Sequence, residues 1–348
     1  MENMGIAKMK VLVTGHSGYI GTVLVPMLLE HGHDVSGLDN GWFEHCVFTG
    51  EVTQIPGIKK DVRDVEKTDL EGFDAIIHLA GLSNDPLGDY RPGLTEEIND
   101  KASVRIATLA KEVGVERFIF ASSCSNYGAS GDQFLTEDAA FNPVTPYGVS
   151  KVKVEEGLDK LADDSFCPVY LRASTAYGMS PIIRFDLVLN NLTAWAFTTG
   201  QVYLKSDGTP WRPIVHVEDI CRAYVAALHA PRDVVFNRGF NVGTTTENYQ
   251  IRELAEIVQD VVPNCRVEFA DDAGPDKRCY RVDCNRIATE LHEFKPQWTA
   301  HQGVVELYEA YKKVGLTLDE FEGEKFKRIA HLQKLVKDKK LDETLRWA

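Results

Sequence analysis

Val11-Leu-Val-Thr-Gly15-His-Ser-Gly18-Tyr-Ile-Gly21 is the stretch on which the fold turns. An apolar, β-branched run long enough for a buried strand leads into three glycines, and from Ile20 to His31 the apolar residues recur at the helical period. Strand, glycine loop and helix in immediate succession suit a phosphate group. Without side chains the loop backbone can approach a pyrophosphate, and the helix start presents free N–H groups at the positive end of its dipole. Gly15, Ser17, Gly18, Tyr19, Ile20 and Gly21 are the contacts expected of such a loop.

The next strand, Asp34–Leu38, runs into Asp39 and Asn40. A carboxylate at that strand end can accept hydrogen bonds from the hydroxyls of an adenosine ribose, and its charge repels a 2′-phosphate, so the ligand expected is NAD rather than NADP. Further strand-like runs at Ala75–Leu79, Arg117–Ala121 and Pro168–Arg172 alternate with helical patterns such as Ala102–Val113. This alternation predicts an α/β, doubly wound parallel sheet of the Rossmann type over residues 8–172, with strands returning to it from about 213–245. After Ala173 loops interleave with helices (Phe185–Thr198, Val217–His229, Ile251–Val261), which predicts a smaller C-terminal substrate-binding portion over 173–320. Residues 321–348 place Phe326, Ile329, Leu332, Leu335, Val336 and Leu341 at helical spacing, an amphipathic tail that packs on its own domain or on a second subunit.

Composition narrows the partners. With 38 Lys and Arg against 52 Asp and Glu, the 348-residue chain carries a formal charge of −14. Nucleic acid and anionic membrane surfaces are therefore excluded as expected partners, because a duplex binder needs a basic footprint. An anionic ligand has to be held locally, by a few arginines and by backbone N–H groups. The seven cysteines are scattered, without a CxxC pair or a His at zinc-ligand spacing, so no metal site and no disulfide framework is expected. Reduced thiols, no signal-like leader and no apolar run of membrane-spanning length together lead to a cytoplasmic expectation.

Tyr147-Gly-Val-Ser-Lys151 puts a phenol and an amine one helical turn apart on one face. A phenol of ordinary pKa about 10 can serve as a base near neutrality only if a fixed cation favours its phenolate, and Lys151 is placed to do so and to bond the ribose next to a nicotinamide. Tyr147 and Lys151 are accordingly both catalytic and cofactor-binding candidates. The loop after the fifth strand, Ser122-Ser123-Cys124-Ser125-Asn126-Tyr127-Gly128, offers hydroxyls for the reacting group.

The G-x-x-G-x-x-G spacing together with these motifs resembles the extended short-chain dehydrogenase/reductases, and within them the NAD-dependent nucleotide-sugar epimerase/dehydratase family. The resemblance covers roughly Met9 to Ile287. It implies that Asp61-Val62 sits by the adenine and that Leu79, Ala80 and Gly81 of His78-Leu-Ala-Gly81 line the cofactor. Counting back from Tyr127-Gly128, Ser123 takes the place of the hydroxyl that orients the substrate, with Ser122 the competing choice. The two positions that follow, where 4,6-dehydratases carry an acid, are Cys124 and Ser125, so dehydration and decarboxylation rank low. Arg212, in Trp211-Arg-Pro-Ile-Val-His216, takes the place of the Arg that grips the nucleotide phosphate. Ser125, Thr175, Asn191 and Arg278, with Arg281 beside it, are the remaining substrate-side candidates. Two positions depart from the pattern: Thr175 stands where many members carry Asn, and Ser83 where the 4-epimerase of UDP-galactose carries Lys.

The activity implied is epimerisation of a nucleotide-activated sugar through a transient 4-keto intermediate. The alternatives are a reductase or dehydrogenase of a nucleotide-bound keto sugar and a non-catalytic NAD-binding protein. The resemblance also implies a homodimer built through a four-helix bundle.

Overall fold

The computed structural model describes residues 7–83, 89–128, 133–274 and 279–348. Strand β1 (Lys10–Thr14) lies inside a seven-stranded sheet, and Val11, Leu12 and Val13 are all fully buried because helices cover both faces. Side chains alternate across the sheet. Val11 and Val13 pack with Leu24, Val25 and Leu28 of helix α1 (Gly21–Glu30), whereas Leu12 packs on the other side with Ile106, Ala107 and Ala110 of helix α2 (Ala102–Glu112).

The other strands are β2 (Asp34–Asp39), β3 (Gly57–Lys59), β4 (Ala75–His78), β5 (Arg117–Ser123), β7 (Cys167–Ala173) and β11 (Arg238–Val242), where β6 (Phe134–Leu135), β8 (Thr175–Tyr177), β9 (Gln201–Ser206) and β10 (Trp211–His216) belong to smaller sheets. All neighbours are parallel, in the order β11-β7-β5-β4-β1-β2-β3. The chain winds one way from β1 to β3 and the other way from β4 onward. The switch therefore falls between β1 and β4, and a crevice opens beyond their C-terminal ends. Helix α3 (Pro146–Asp159) joins α2 on one face, and α4 (Val217–His229) joins α1 on the other.

The return of the chain to the main sheet is narrower than the sequence suggests. β11 pairs with β7, but β10 (Trp211–His216) pairs with β8 (Thr175–Tyr177) and β12 (Asn248–Gln250) in a separate three-stranded sheet. That sheet packs with helices Val188–Thr199, Ile251–Val261 and Ala300–Val314 around Leu192, Leu254, Val258 and Val304.

The C-terminal segment packs on its own chain. Helix α5 (Arg328–Lys337) and the residues after it send Leu332, Leu335, Leu341 and Leu345 into the core on the α2 face. Among the described residues no helix is long and apolar enough to cross a membrane, and no cluster of His, Cys, Asp and Glu could hold a metal.

His78, at the end of β4, is fully buried, sharing hydrogen bonds with Thr14 Oγ1 (2.7 Å) and Ser103 Oγ (2.8 Å). Burial, reinforced by the charge on Lys151, lowers its pKa from 6.5 to about 3. Between those values the unfolded chain binds a proton that the native ring refuses, so stability falls as pH drops below about 6.5. Denaturant titrations at pH 7 and pH 5 should show His78→Gln sparing about 2 kcal/mol of the loss suffered by the native chain; equal losses in both would reject this assignment.

Candidate active site

The crevice at the switch point is walled by the glycine loop. Gly15 has φ +76°, and a Cβ there would lie 2.8 Å from the Ala80 nitrogen; one on Gly21 would lie 2.5 Å from the carbonyl oxygens of Gly15 and His16. The loop can run this close to the end of β4 only without side chains. No side chain caps α1 and no acid stands in its first turn. The amides of Tyr19, Ile20 and Gly21 have no acceptor among the described residues. A bare cradle, an uncapped helix start and a carboxylate at the end of β2 fit a dinucleotide diphosphate and its ribose.

Gly15, Gly18, Tyr19, Ile20, Gly21, Asp39, Asn40, Val62, Leu79, Ala80 and Gly81 all border this cleft. Two expected contacts are placed otherwise. Ser17 turns to a neighbouring surface hollow, while its amide donates to Asp39 Oδ2 (3.2 Å) and so helps to hold that carboxylate. Asp61 is engaged by Arg63, through its backbone N–H (2.9 Å) and its guanidinium (2.7 Å), and positions Val62 at the cleft wall rather than facing it. Burial pushes the Asp61 carboxyl up, but the bonds from Arg63 outweigh it and the net shift is downward. The Tyr19 hydroxyl donates to Gly178 O (2.8 Å), leaving its backbone to the cleft.

A second cleft continues from the first, sharing Ile20, Leu79, Gly81, Ser83 and Arg184 with it. Ser123, Ser125, Tyr147, Lys151, Thr175 and Arg212 border it together. Local sequence explains the placement of the Tyr–Lys pair. Thr145 accepts from the Gly148 N–H (3.1 Å) and Pro146 begins α3, so the helix starts with Tyr147 in its first turn. Lys151 lies one turn on, its Nζ donating to Ala121 O (2.7 Å), 4.6 Å from the Phe120 ring centroid and 5.5 Å from that of Tyr147. Burial lowers its pKa from 10.5 to about 8, with Glu155 restoring part of the loss.

The two serines at the end of β5 are distinguished by their partners. Ser122 donates to Glu155 Oε1, inside a buried network in which Glu155 pairs with Arg172 Nη2 (2.7 Å) and Arg172 in turn holds Tyr127. Ser123 Oγ accepts from the Ser125 N–H (3.1 Å), and its own proton finds no acceptor among the described residues. Burial opposes the charge on Arg172, but Glu155 and Tyr127 more than offset it and its pKa rises. This pair clamps α3 to β7 beneath Lys151. Cys124 points into the core, donating to Arg172 O (3.0 Å), and burial raises its pKa.

On the substrate side, Arg212 is buried on β10 with one nitrogen bonded to Trp211 O (2.8 Å). Asn191 is not brought to the cleft; its amide donates to Phe185 O (2.8 Å). The Arg281 guanidinium is held between the rings of Phe134 (3.9 Å) and Trp211 (4.2 Å). Arg278 lies outside the described residues.

Three charged groups, Glu155, Arg184 and Arg328, escaped the sequence reading. Glu155 was within reach, since it extends the Tyr147–Lys151 face by one more turn. Arg184, which pairs with Asp186 (2.6 Å) and reaches the Ser83 carbonyl (3.4 Å), and Arg328, which borders the cofactor cleft from α5, carry no local signal.

The sequence profile described as the NAD dependent epimerase/dehydratase family matches residues 11–243. The chain is 29% identical to the UDP-glucose 4-epimerase of Corynebacterium glutamicum over 272 residues, covering 73% of this chain and 80% of that enzyme. It is 31% identical to the UDP-glucose 4-epimerase of Neisseria meningitidis serogroup C over 264 residues, covering 68% of this chain and 77% of that one. Among solved structures, MoeE5 in complex with UDP-glucuronic acid and NAD superposes with a TM-score of 0.74 at 26% identity, over 87% of this chain and 99% of that one.

The depressed pKa of Lys151 has a stability signature. Below pH 8 the ammonium is carried in both the native and unfolded states, and the native state bears the penalty of burying it; from pH 8 to 10.5 the native state sheds the proton first and the penalty is relieved. Lys151→Met should therefore be more stable than the native apoprotein at pH 7, by up to about 3 kcal/mol, with the gap closing towards pH 10.5. Melting curves across that range check it, and a gap that does not depend on pH would contradict it.

Proposed function

The chain belongs to the NAD dependent epimerase/dehydratase family, and on that premise we propose that it inverts C4 of a nucleotide-activated sugar through a transient 4-keto intermediate. The observation that carries this reading is the convergence of Ser123, Tyr147 and Lys151 on the wall of the second cleft, with no carboxylate at positions 124 and 125 to drive elimination.

The Tyr147 phenolate, favoured by the Lys151 charge, takes the proton of the C4 hydroxyl while Ser123 hydrogen-bonds the same oxygen. NAD, when bound, supplies the acceptor and then the donor of the C4 hydride. Arg212 pairs with the diphosphate of the substrate and holds the nucleotide still, so that only the sugar turns and presents its other face. Tyr147 then returns the proton, and the cycle closes without net oxidation. Residues 173–320 provide the substrate side in this reading. A homodimer through α2 and α3, which pack side by side and leave Val149 exposed, is part of the same proposal.

Incubation with UDP-glucose or UDP-galactose in deuterated water, followed by NMR, tests the reaction. Both sugars should reach one equilibrium mixture, with no deuterium at C4 and no NAD consumed. Tyr147→Phe and Lys151→Met should each lower kcat/KM by about 10²- to 10⁴-fold. Net turnover of NAD in step with product would replace the epimerase by a dehydrogenase or reductase, and loss of water from the sugar would replace it by a dehydratase.

A further inference from the structure

Arg328 opens α5, outside the stretch that the family profile matches. It is buried, yet among the described residues no carboxylate, carbonyl or hydroxyl bonds its guanidinium, which rests on the face of the Phe43 ring at 3.8 Å from the centroid. Arg184, also buried and bordering the same cleft, differs in being paired with Asp186. A buried guanidinium without an anion is unfavourable, and burial and the neighbouring charge of Arg184 pull its pKa down to about 10. Such a group keeps its place when an anion comes to it.

The cleft indicates which anion. Arg328 stands within electrostatic reach of Asp39, at the ribose end, and of Arg184 and Asp186, at the catalytic end. Between those ends the cleft offers the glycine loop and the open start of α1. The segment carrying Arg328 is tied to the same end of the molecule. His331 shares a hydrogen bond with Trp42 O (2.9 Å), Arg63 donates to Thr344 O (2.8 Å), Trp347 Nε1 donates to Asn40 O (2.6 Å) and Arg346 pairs with Asp64.

We propose that Arg328 is a dinucleotide-binding residue: its guanidinium pairs with the diphosphate of NAD from the wall formed by the C-terminal segment, and residues 328–347 thereby strap the adenosine half of the cleft and retain the cofactor. This rests on the reading of the cleft as the NAD site. The guanidinium fork engages two phosphate oxygens at once, which a lysine ammonium does not.

Protein stripped of nucleotide is titrated calorimetrically with NAD, ADP, adenosine and UDP, as the native chain and as Arg328→Gln, Arg328→Lys and Trp347→Ala, and each apoprotein is melted. Arg328→Gln should weaken NAD and ADP by about ten- to a hundredfold, leave adenosine and UDP unchanged, and melt no lower than the native apoprotein because an unpaired buried charge is gone. Arg328→Lys should fall between the two. Trp347→Ala, which loosens the strap at an exposed residue, should speed release of bound NADH followed by its fluorescence. Unchanged NAD affinity in Arg328→Gln, an equal loss for adenosine, or a lowered apoprotein melting temperature would each overturn the assignment and leave Arg328 a packing residue. A loss confined to UDP would move it to the substrate diphosphate. A native chain that binds neither NAD nor ADP would instead overturn the reading of the cleft, and the inference with it.

Discussion

At the centre of this molecule two stretches of backbone pass each other bare. The turn at Gly15 lies so close to Ala80 that a single methyl group would collide with it, and the start of α1 folds back over the carbonyls of Gly15 and His16 with no more room. That approach fixes the ends of β1 and β4 on either side of the crevice where the winding of the sheet reverses. Everything that borders the crevice takes its position from it: Asp39 at the end of the neighbouring strand, the Leu79–Gly81 turn, and the second cleft that continues past Ser83 to Tyr147. A side chain at Gly15 would force the loop away from the end of β4 and disturb the space a phosphate needs.

Charge is arranged around the crevice against the character of the chain as a whole. The protein is strongly acidic, yet Lys151, Arg184, Arg212 and Arg328 are buried along the two connected clefts. Each is held in place by a different device. Lys151 lies against the Ala121 carbonyl and the Phe120 ring, Arg184 has Asp186, Arg212 has the backbone of its own strand, and Arg328 has an aromatic face. Burial makes such charges worth more to an incoming anion than they would be on the surface. An acidic protein can in this way hold a dinucleotide and a sugar diphosphate while the rest of its surface repels polyanions.

Beneath the clefts, the Glu155–Arg172 pair does a different job. It ties α3 to β7 and engages the Ser122 hydroxyl, leaving that of Ser123, on the same cleft wall, without such a carboxylate partner. The proton chemistry proposed for Tyr147 depends on a helix that cannot rock, because its phenol and the Lys151 ammonium have to keep their spacing through both proton transfers.

The phosphate loop, the Asp39 strand end, the Tyr147–Lys151 spacing and most strands and helices of the first half could be read from the chain, because each is a local matter: a short peptide's periodicity, turn chemistry and helical register decide it. What a residue's side chain meets across the fold could not be read that way. Ser17 and Asp61 turned out to brace the cleft instead of facing it, Asn191 binds a carbonyl of its own segment, and β10 left the main sheet for a smaller one. Ser122 and Ser123 stay equivalent until Glu155 arrives from a helix packed against their strand. Arg184 and Arg328 reach the cleft from 169 and 313 residues beyond Gly15, separations over which no periodicity or motif constrains the chain. Sequence alone determined the kind of sheet, the glycine loop and the one-turn spacing of Tyr147 and Lys151; the tertiary structure alone decided which charges gather at the cleft, because only packing brings distant segments within the few ångströms at which charges and hydrogen bonds act.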